Sequence, residues 1–176
     1  FPMADEITRK IYWHSPDPRA IFKLDEIKMP RSMKQFIRKY DVRFKVDTNF
    51  EEVIHKCAER EQTWISDEII DVFTEFHQMG FAHSVETYID DELVGGLYGV
   101  AIGGGFFGES MFNDVSNTSK AAFYYLCHRL NERGYILLDS QYINSFTASL
   151  GAIEIPRVIY INLLYKALFL PCSFTD

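Results

Sequence analysis

Cysteine is scarce. Only Cys57, Cys127 and Cys172 occur in 176 residues, too far apart for a disulfide framework or a CxxC zinc pattern, and that usage suits a reducing cytosol. No apolar run approaches the ~18 residues that a membrane span needs, and the stretch Leu93–Phe107 is broken by glycine. No signal peptide opens the chain. It starts Phe1-Pro2 in place of Met, as expected of a sequence whose leading residues are missing. Five histidines, His14, His55, His77, His83 and His128, form neither HExxH nor a Cys/His cluster, so no metal is expected. Also lacking are a Gly-x-Ser-x-Gly elbow, a GxGxxG that opens a helix, and a P-loop.

What is present is a well-fed core and a divided charge. At 47% hydrophobic and 15% aromatic residues, the chain can bury one ordinary domain and is not globally disordered. Its net charge of -7 is uneven: residues 1–45 carry 11 Lys/Arg against 6 Asp/Glu, and residues 46–176 carry 7 against 19. Arg31, Lys34, Arg38 and Lys39 lie in the densest basic stretch, with Lys28, Arg43 and Lys45 around them. Such a segregated end either grips phosphates or is simply a solvated helix face.

The Ser15–Pro18 segment reads as a rigid turn joining a leading segment to the main domain, with the division expected at residues 1–20 and 21–176. Periodicity predicts helices over Ser32–Lys39, Phe50–Arg60, from an N-cap at Ser66 to Gly80, Asn117–Arg133, Ile143–Leu150 and Pro156–Leu168. Strands are predicted at Val42–Val46, His83–Ile89, Glu92–Ile102, Phe106–Met111 and Tyr135–Gln141, with a tight turn at Asp90-Asp91. This is an α+β plan with a mixed, mostly antiparallel central sheet flanked by helices and a crossover near the end. It matches an acetyltransferase-like (GNAT-like) acyl-transfer domain, although fold alone does not fix chemistry.

Two positions stand out chemically. Asp139 ends an apolar strand, and Gln141 lies two residues on, so both side chains are expected on one face as a general base and its orienting partner, or as groups that satisfy the following loop. Glu109 interrupts an apolar run, where an unpaired carboxylate is costly; it either meets a substrate amine or ribose hydroxyl, or pairs with a basic side chain. Gly95, Gly96, Gly99 and Gly103–Gly105 mark bulges or a close approach by a ligand. Trp64 is a core anchor or a stacking platform for a base, and His77 on an apolar face reads as a satisfied core residue.

Several segments recur together in one family. Trp13–Ala20, Arg31–Lys34, Thr63–Ile65, Ala82–Glu86, Glu92–Val100, Phe107–Phe112, Asn117–Ala121, Leu138–Gln141 and Ser149–Arg157 run in family order. On these segments the chain resembles the leucyl/phenylalanyl-tRNA–protein transferases of the bacterial N-degron pathway. Met3 stands where members often carry Trp, Phe73 where some have Tyr and Phe146 where some have His; neither phenylalanine can supply a catalytic hydrogen bond.

The resemblance implies an aminoacyltransferase that moves Leu or Phe from Leu-tRNA or Phe-tRNA to proteins with N-terminal Arg or Lys, marking them for degradation. It implies no cofactor, because the ester donor is already activated. By the same analogy Asp139 and Gln141 carry the proton and orient the nucleophile. Leu97, Met111, Leu126 and Leu138 wall the donor pocket, with Glu109 at its rim. Met3 and Trp64 hold the 3′ adenosine, and Arg31, Lys34, Arg38 and Lys39 meet tRNA phosphates. A cytoplasmic monomer without membrane contact is expected. The alternatives are an acetyl-CoA-dependent N-acetyltransferase, disfavoured by the lack of a Gly-rich turn at Asn117–Ala122, and a non-catalytic tRNA- or N-degron-binding module.

Overall fold

The structure, a computed structural model, describes residues 1–5, 7–8, 10–59 and 63–175. Its centre is a seven-stranded sheet in the order β4-β5-β6-β7-β8-β3-β9. These strands are β3 (Arg19–Phe22), β4 (Arg43–Val46), β5 (Ala82–Ile89), β6 (Glu92–Ile102), β7 (Gly105–Asn113), β8 (Leu137–Gln141) and β9 (Ile153–Ile155). All neighbours are antiparallel except β7 and β8, whose parallel pairing requires the crossover supplied by α4 (Thr118–Glu132). A separate two-stranded sheet pairs β1 (Pro2–Ala4) with β2 (Ile11–Trp13).

Helices cover both faces of the large sheet. Helix α4 packs on one face, where Leu97, Phe106, Leu126, Leu130 and Leu138 share a core. On the other face, α2 (Phe50–Ala58) and α3 (Asp67–Gln78) bury Val53, Ile54, Ile69 and Phe73 against Tyr98 and Phe112. Helix α6 (Arg157–Leu168) closes the far end of that face over Ile21 and Leu137. The short α1 (Arg31–Lys39) and α5 (Ser145–Ser149) complete the helices. Among the described residues no helix is long and apolar enough to cross a membrane.

The mixed α+β plan is as expected, and local chemistry explains several of its junctions. The Ser66 hydroxyl accepts from the Ile69 N–H at 3.3 Å and starts α3. Asp90 and Asp91 both take positive φ, 51° and 65°, in the tight β5–β6 turn. The expected end of the second helix at Arg60 lies outside the described residues. Four short strands, β1, β2, β3 and β9, were not expected. Strand β3 begins at Arg19, so the large sheet reaches into the stretch read as a linker. The glycines of β6 are explained by the protein itself: a Cβ at Gly99 would collide with the Phe107 carbonyl oxygen, and one at Gly95 with Thr118 Oγ1. Those glycines admit neighbouring chain, not a ligand. His77 is satisfied, with Nδ1 2.9 Å from the Ala82 carbonyl and its ring stacked on Phe50, but it is only partly buried and lies outside the core.

One buried carboxylate ties β5 to the start of α2. Glu86 has no exposed surface. Its Oε1 accepts from the Thr48 and Asn49 backbone N–H groups and the Ser84 hydroxyl at 2.8–2.9 Å, and Oε2 accepts from the Tyr88 hydroxyl at 3.2 Å. Removing it leaves four donors in a dry site. Glu86→Ala is therefore expected to cost about 3 kcal/mol, a fall in Tm on the order of 10 °C for a chain of this size; a variant that melts with the wild type would refute that assignment.

Candidate active site

The parallel pairing of β7 and β8 stops early. Its last partners are Phe107 and Asp139, although the strands run on to Asn113 and Gln141. Beyond that point the two strands diverge, and each carries a bulge. In β7, Gly108 pairs with Gly99 and Ser110 with Tyr98, leaving Glu109 as the extra residue. In β8, Asp139 pairs with Ile21 and Gln141 with Ala20, leaving Ser140 extra. Bulges re-aim side chains, and here they turn the strand ends toward a shared cavity.

That cavity measures about 460 Å³, within the range of ~300–1,000 Å³ usual for small-ligand sites. Leu97, Met111, Leu126 and Leu138 line it, joined by Phe22, Phe123 and Leu150. Met3, Trp64, Glu109, Asp139 and Gln141 also line it. Met3 and Trp64 are brought together by the β1 backbone, where the Ala4 N–H donates to the Trp64 carbonyl at 3.2 Å. Phe146 is part of the cavity wall, whereas Phe73 is buried in the α2–α3 core.

The polar end departs from the arrangement expected for Asp139 and Gln141. The Asp139 side chain has no exposed surface. Arg19 Nε lies 3.0 and 3.1 Å from its two oxygens, Arg19 Nη2 donates to Oδ2 at 2.6 Å, and the Tyr160 hydroxyl donates to Oδ2 at 2.6 Å. The Gln141 backbone N–H donates to Oδ1 at 2.7 Å. Gln141 thus meets Asp139 through its main chain, and its side chain turns elsewhere: Nε2 donates to Glu109 Oε2 at 2.9 Å. The bulge at Ser140 and the left-handed Gln141 backbone, φ 64°, break the two-residue alternation that put both side chains on one face.

Arg19 and Tyr160 are site residues that the sequence reading missed. Arg19 stands in the quoted Trp13–Ala20 segment but reads as one more charge of the basic end, and Tyr160 lies mid-helix without any polar pattern around it. Burial works against the Arg19 charge, but Asp139 outweighs it and holds the guanidinium above its ordinary range. Burial, reinforced by Asp139, pushes the Tyr160 hydroxyl up, so it stays a donor.

Glu109 is the cavity carboxylate with an open acceptor. Its Oε2 takes the Gln141 amide, while Oε1 has no donor among the described residues and is not sealed from the cavity. Burial pushes the carboxyl up from 4.5 to about 8, against the opposing effect of the Gln141 hydrogen bond.

The basic residues lie apart from this cavity. Arg31, Lys34, Arg38 and Lys39 are exposed on α1, whose other face buries Met33; among the described residues none of the four forms a salt bridge. The start of α4 is occupied by its own sheet: the Thr118 hydroxyl lies 2.8 Å from the Val94 and 2.6 Å from the Val115 carbonyl, and Thr118 is fully buried.

Residues 21–165 match the leucyl/phenylalanyl-tRNA protein transferase family. The chain belongs to that family. A leucyl/phenylalanyl-tRNA–protein transferase of Gloeobacter violaceus is 48% identical over 99% of this chain and 90% of its own length. Those of a Ruegeria species and of Herpetosiphon aurantiacus are each 46% identical over 99% of this chain, and over 83% and 90% of their own lengths. Among solved structures, L-PGS from Bacillus licheniformis superposes with a TM-score of 0.51 at 14% identity, over 70% of this chain and 45% of that one. A conserved Staphylococcus epidermidis protein of unknown function gives 0.50 at 9% identity, over 80% and 57%. These two likenesses concern the fold alone.

The raised Glu109 carboxyl has a consequence for stability. Between pH 4.5 and about 8 the folded protein holds a proton that the unfolded chain has released, so stability falls as pH rises through that window. Glu109→Gln cannot titrate and keeps the Gln141 contact. Thermal unfolding from about pH 5 to about pH 9 is expected to show the wild type losing Tm relative to the variant; parallel curves would exclude the buried proton.

Proposed function

We propose that this protein transfers Leu or Phe from aminoacyl-tRNA to the N-terminal Arg or Lys of an acceptor protein. The observation that carries the reading is the cavity, apolar at one end and carboxylate-bearing at the other, in a chain of this family. The acceptor α-amine attacks the ester carbonyl of the donor, a C–N bond forms, the C–O bond to the 3′ oxygen breaks, and that oxygen leaves as a hydroxyl. Holding the two reactants together supplies much of the rate, and the donor ester needs no further activation.

The donor side chain lies among Leu97, Met111, Leu126 and Leu138, and the adenosine lies against Met3 and Trp64. Glu109 sits at the rim beside the aminoacyl group, and Asp139 and Gln141 form the strand-end machinery next to it. The exposed face of α1 carries Arg31, Lys34, Arg38 and Lys39 toward tRNA phosphates, a contact that is salt-sensitive and blind to sequence. The reading includes an acetyltransferase-like acyl-transfer fold built on the seven-stranded sheet, which begins at Arg19. It also includes a monomer acting in the cytoplasm, where charged tRNA is found, with its products marked for degradation. An acetyl-CoA donor is less well supported, because the α4 N-terminus that would receive a pyrophosphate is filled by Thr118 and β6.

A matrix of purified aminoacyl-tRNAs against short peptides with varied first residues tests the reading. Leu and Phe are expected to pass to peptides beginning with Arg or Lys, while β-branched Ile and Val are rejected; no transfer from any charged tRNA would overturn it. Replacing Lys34 and Arg38 together with alanine is expected to weaken tRNA binding about equally for different tRNAs and to lower the slope of log affinity against log salt by ~1–2. An unchanged slope would remove α1 from the tRNA contact.

A further inference from the structure

We infer that Glu109 accepts the proton released by the attacking amine, and that Asp139, clamped by Arg19 and Tyr160, is a positioning residue that acts through Gln141. The inference rests on the transfer reaction proposed above and divides its roles differently.

The geometry argues for the division. Four donor groups, Arg19 Nε and Nη2, the Tyr160 hydroxyl and the Gln141 N–H, converge on the two Asp139 oxygens, and the side chain is sealed. A proton acceptor has to reach the proton it takes, and a substrate amine has no approach to a carboxylate so enclosed. What Asp139 does is hold the Gln141 N–H at 2.7 Å while that residue keeps a positive φ of 64°, a conformation costly for a side chain with a Cβ. That turn delivers the Gln141 amide to Glu109 Oε2 at 2.9 Å. The amide fixes the Glu109 carboxyl and leaves Oε1 facing the cavity.

The step balances without any co-reactant. As the C–N bond forms, the amine nitrogen gives one proton to Glu109 Oε1. As the C–O bond breaks, Glu109 returns that proton to the departing 3′ oxygen. The products are the amide and the 3′-hydroxyl of the tRNA, and Glu109 ends as it began.

The groups that face Glu109 are Asp139 and Gln141 from β8 and Arg19 from β3, with Tyr98 of β6 and Tyr142 in the same wall. Because a peptide amine titrates near the same pH, the profile is read with hydroxylamine, a nucleophile already uncharged over the range, after subtraction of the uncatalysed reaction. Leucyl-tRNA is the donor, and single-turnover rates of the full chain are measured from about pH 7 to about pH 9.

With the wild type, the rate is expected to rise with pH through about 8 and level off. Glu109→Gln is expected to lower the rate more than ~100-fold, flatten the profile and leave the affinity for leucyl-tRNA within about threefold. Tyr160→Phe, which removes one donor from Asp139 without touching the cavity, is expected to lower kcat on the order of tenfold with KM and the pH midpoint unmoved. A Glu109→Gln enzyme that works within about threefold of wild type overturns the assignment. A midpoint that moves in Tyr160→Phe but survives in Glu109→Gln overturns it as well, in favour of Asp139. Wild-type protein that transfers nothing from leucyl-tRNA, to peptide or to hydroxylamine, defeats the underlying reaction and the inference with it, and is distinguished by needing no variant.

Discussion

The Arg19–Asp139 contact joins residues 120 positions apart, and the candidate site depends on it. It is a sealed, two-pronged ion pair, completed by the Tyr160 hydroxyl and the Gln141 N–H, so that each charge is matched and each carboxylate oxygen is occupied. Three elements are held at one point: the start of β3, the end of β8 and the inner face of α6. Breaking one partner of such a pair is typically worth ~3–5 kcal/mol, because the other charge stays buried and alone. The cluster therefore does more than stabilise. It fixes where β8 ends, and with that the direction in which Gln141 leaves the sheet.

The cavity follows from an interruption of pairing. Parallel strands whose ladder stops at Phe107 and Asp139 but whose chains continue must part, and unpaired backbone there has to find other partners. The two bulges meet that demand while placing one polar side chain from each strand across the gap. The Gln141–Glu109 hydrogen bond then bridges the opening at its polar end. On the α4 face the same gap is walled by Leu97, Phe123, Leu126 and Leu138. One parting of two strands thus produces both the apolar and the polar end.

The parts of this architecture legible in the sequence are those written in long periods or local chemistry. Helices α3 and α4 and strands β5 and β6 repeat their patterns over eight or more residues, and Ser66 and the Asp90-Asp91 turn act within a few residues of themselves. Strands of three or four residues, such as β3 and β9, are too short to show an alternation. Their assignment comes from pairing with β8, a long-range fact. The membership of the cavity was legible: Leu97, Met111, Leu126, Leu138, Glu109 and Trp64 all line it. The wiring was not. A bulge at Ser140 leaves no mark in the local sequence, yet it reverses which groups Asp139 and Gln141 address. Nor does anything near Arg19 distinguish it from the exposed cations that follow, because its burial is decided by a carboxylate 120 residues away.

The divided charge suits a reaction with one polyanionic and one cationic substrate. A body with 19 acidic residues against 7 basic ones over residues 46–176 repels a phosphate backbone except where α1 and its neighbours offer exposed cations. Screening confines such effects to ~8 Å at physiological ionic strength, so the field orients only what has already come close. On the proposed reaction, an RNA donor is thereby turned with its phosphates toward α1. On the proposed reaction, an acceptor carrying Arg or Lys at its first position is drawn instead to the net negative charge of residues 46–176, and local repulsion keeps each substrate from the other's place. Within the cavity, charge plays the opposite part: the walls around Leu126 and Leu138 offer a charged donor side chain no partner, so selection there is by shape and desolvation. In the proposed reaction, attraction sorts the carriers and apolar packing sorts the cargo, with Glu109 at the boundary between the two regimes.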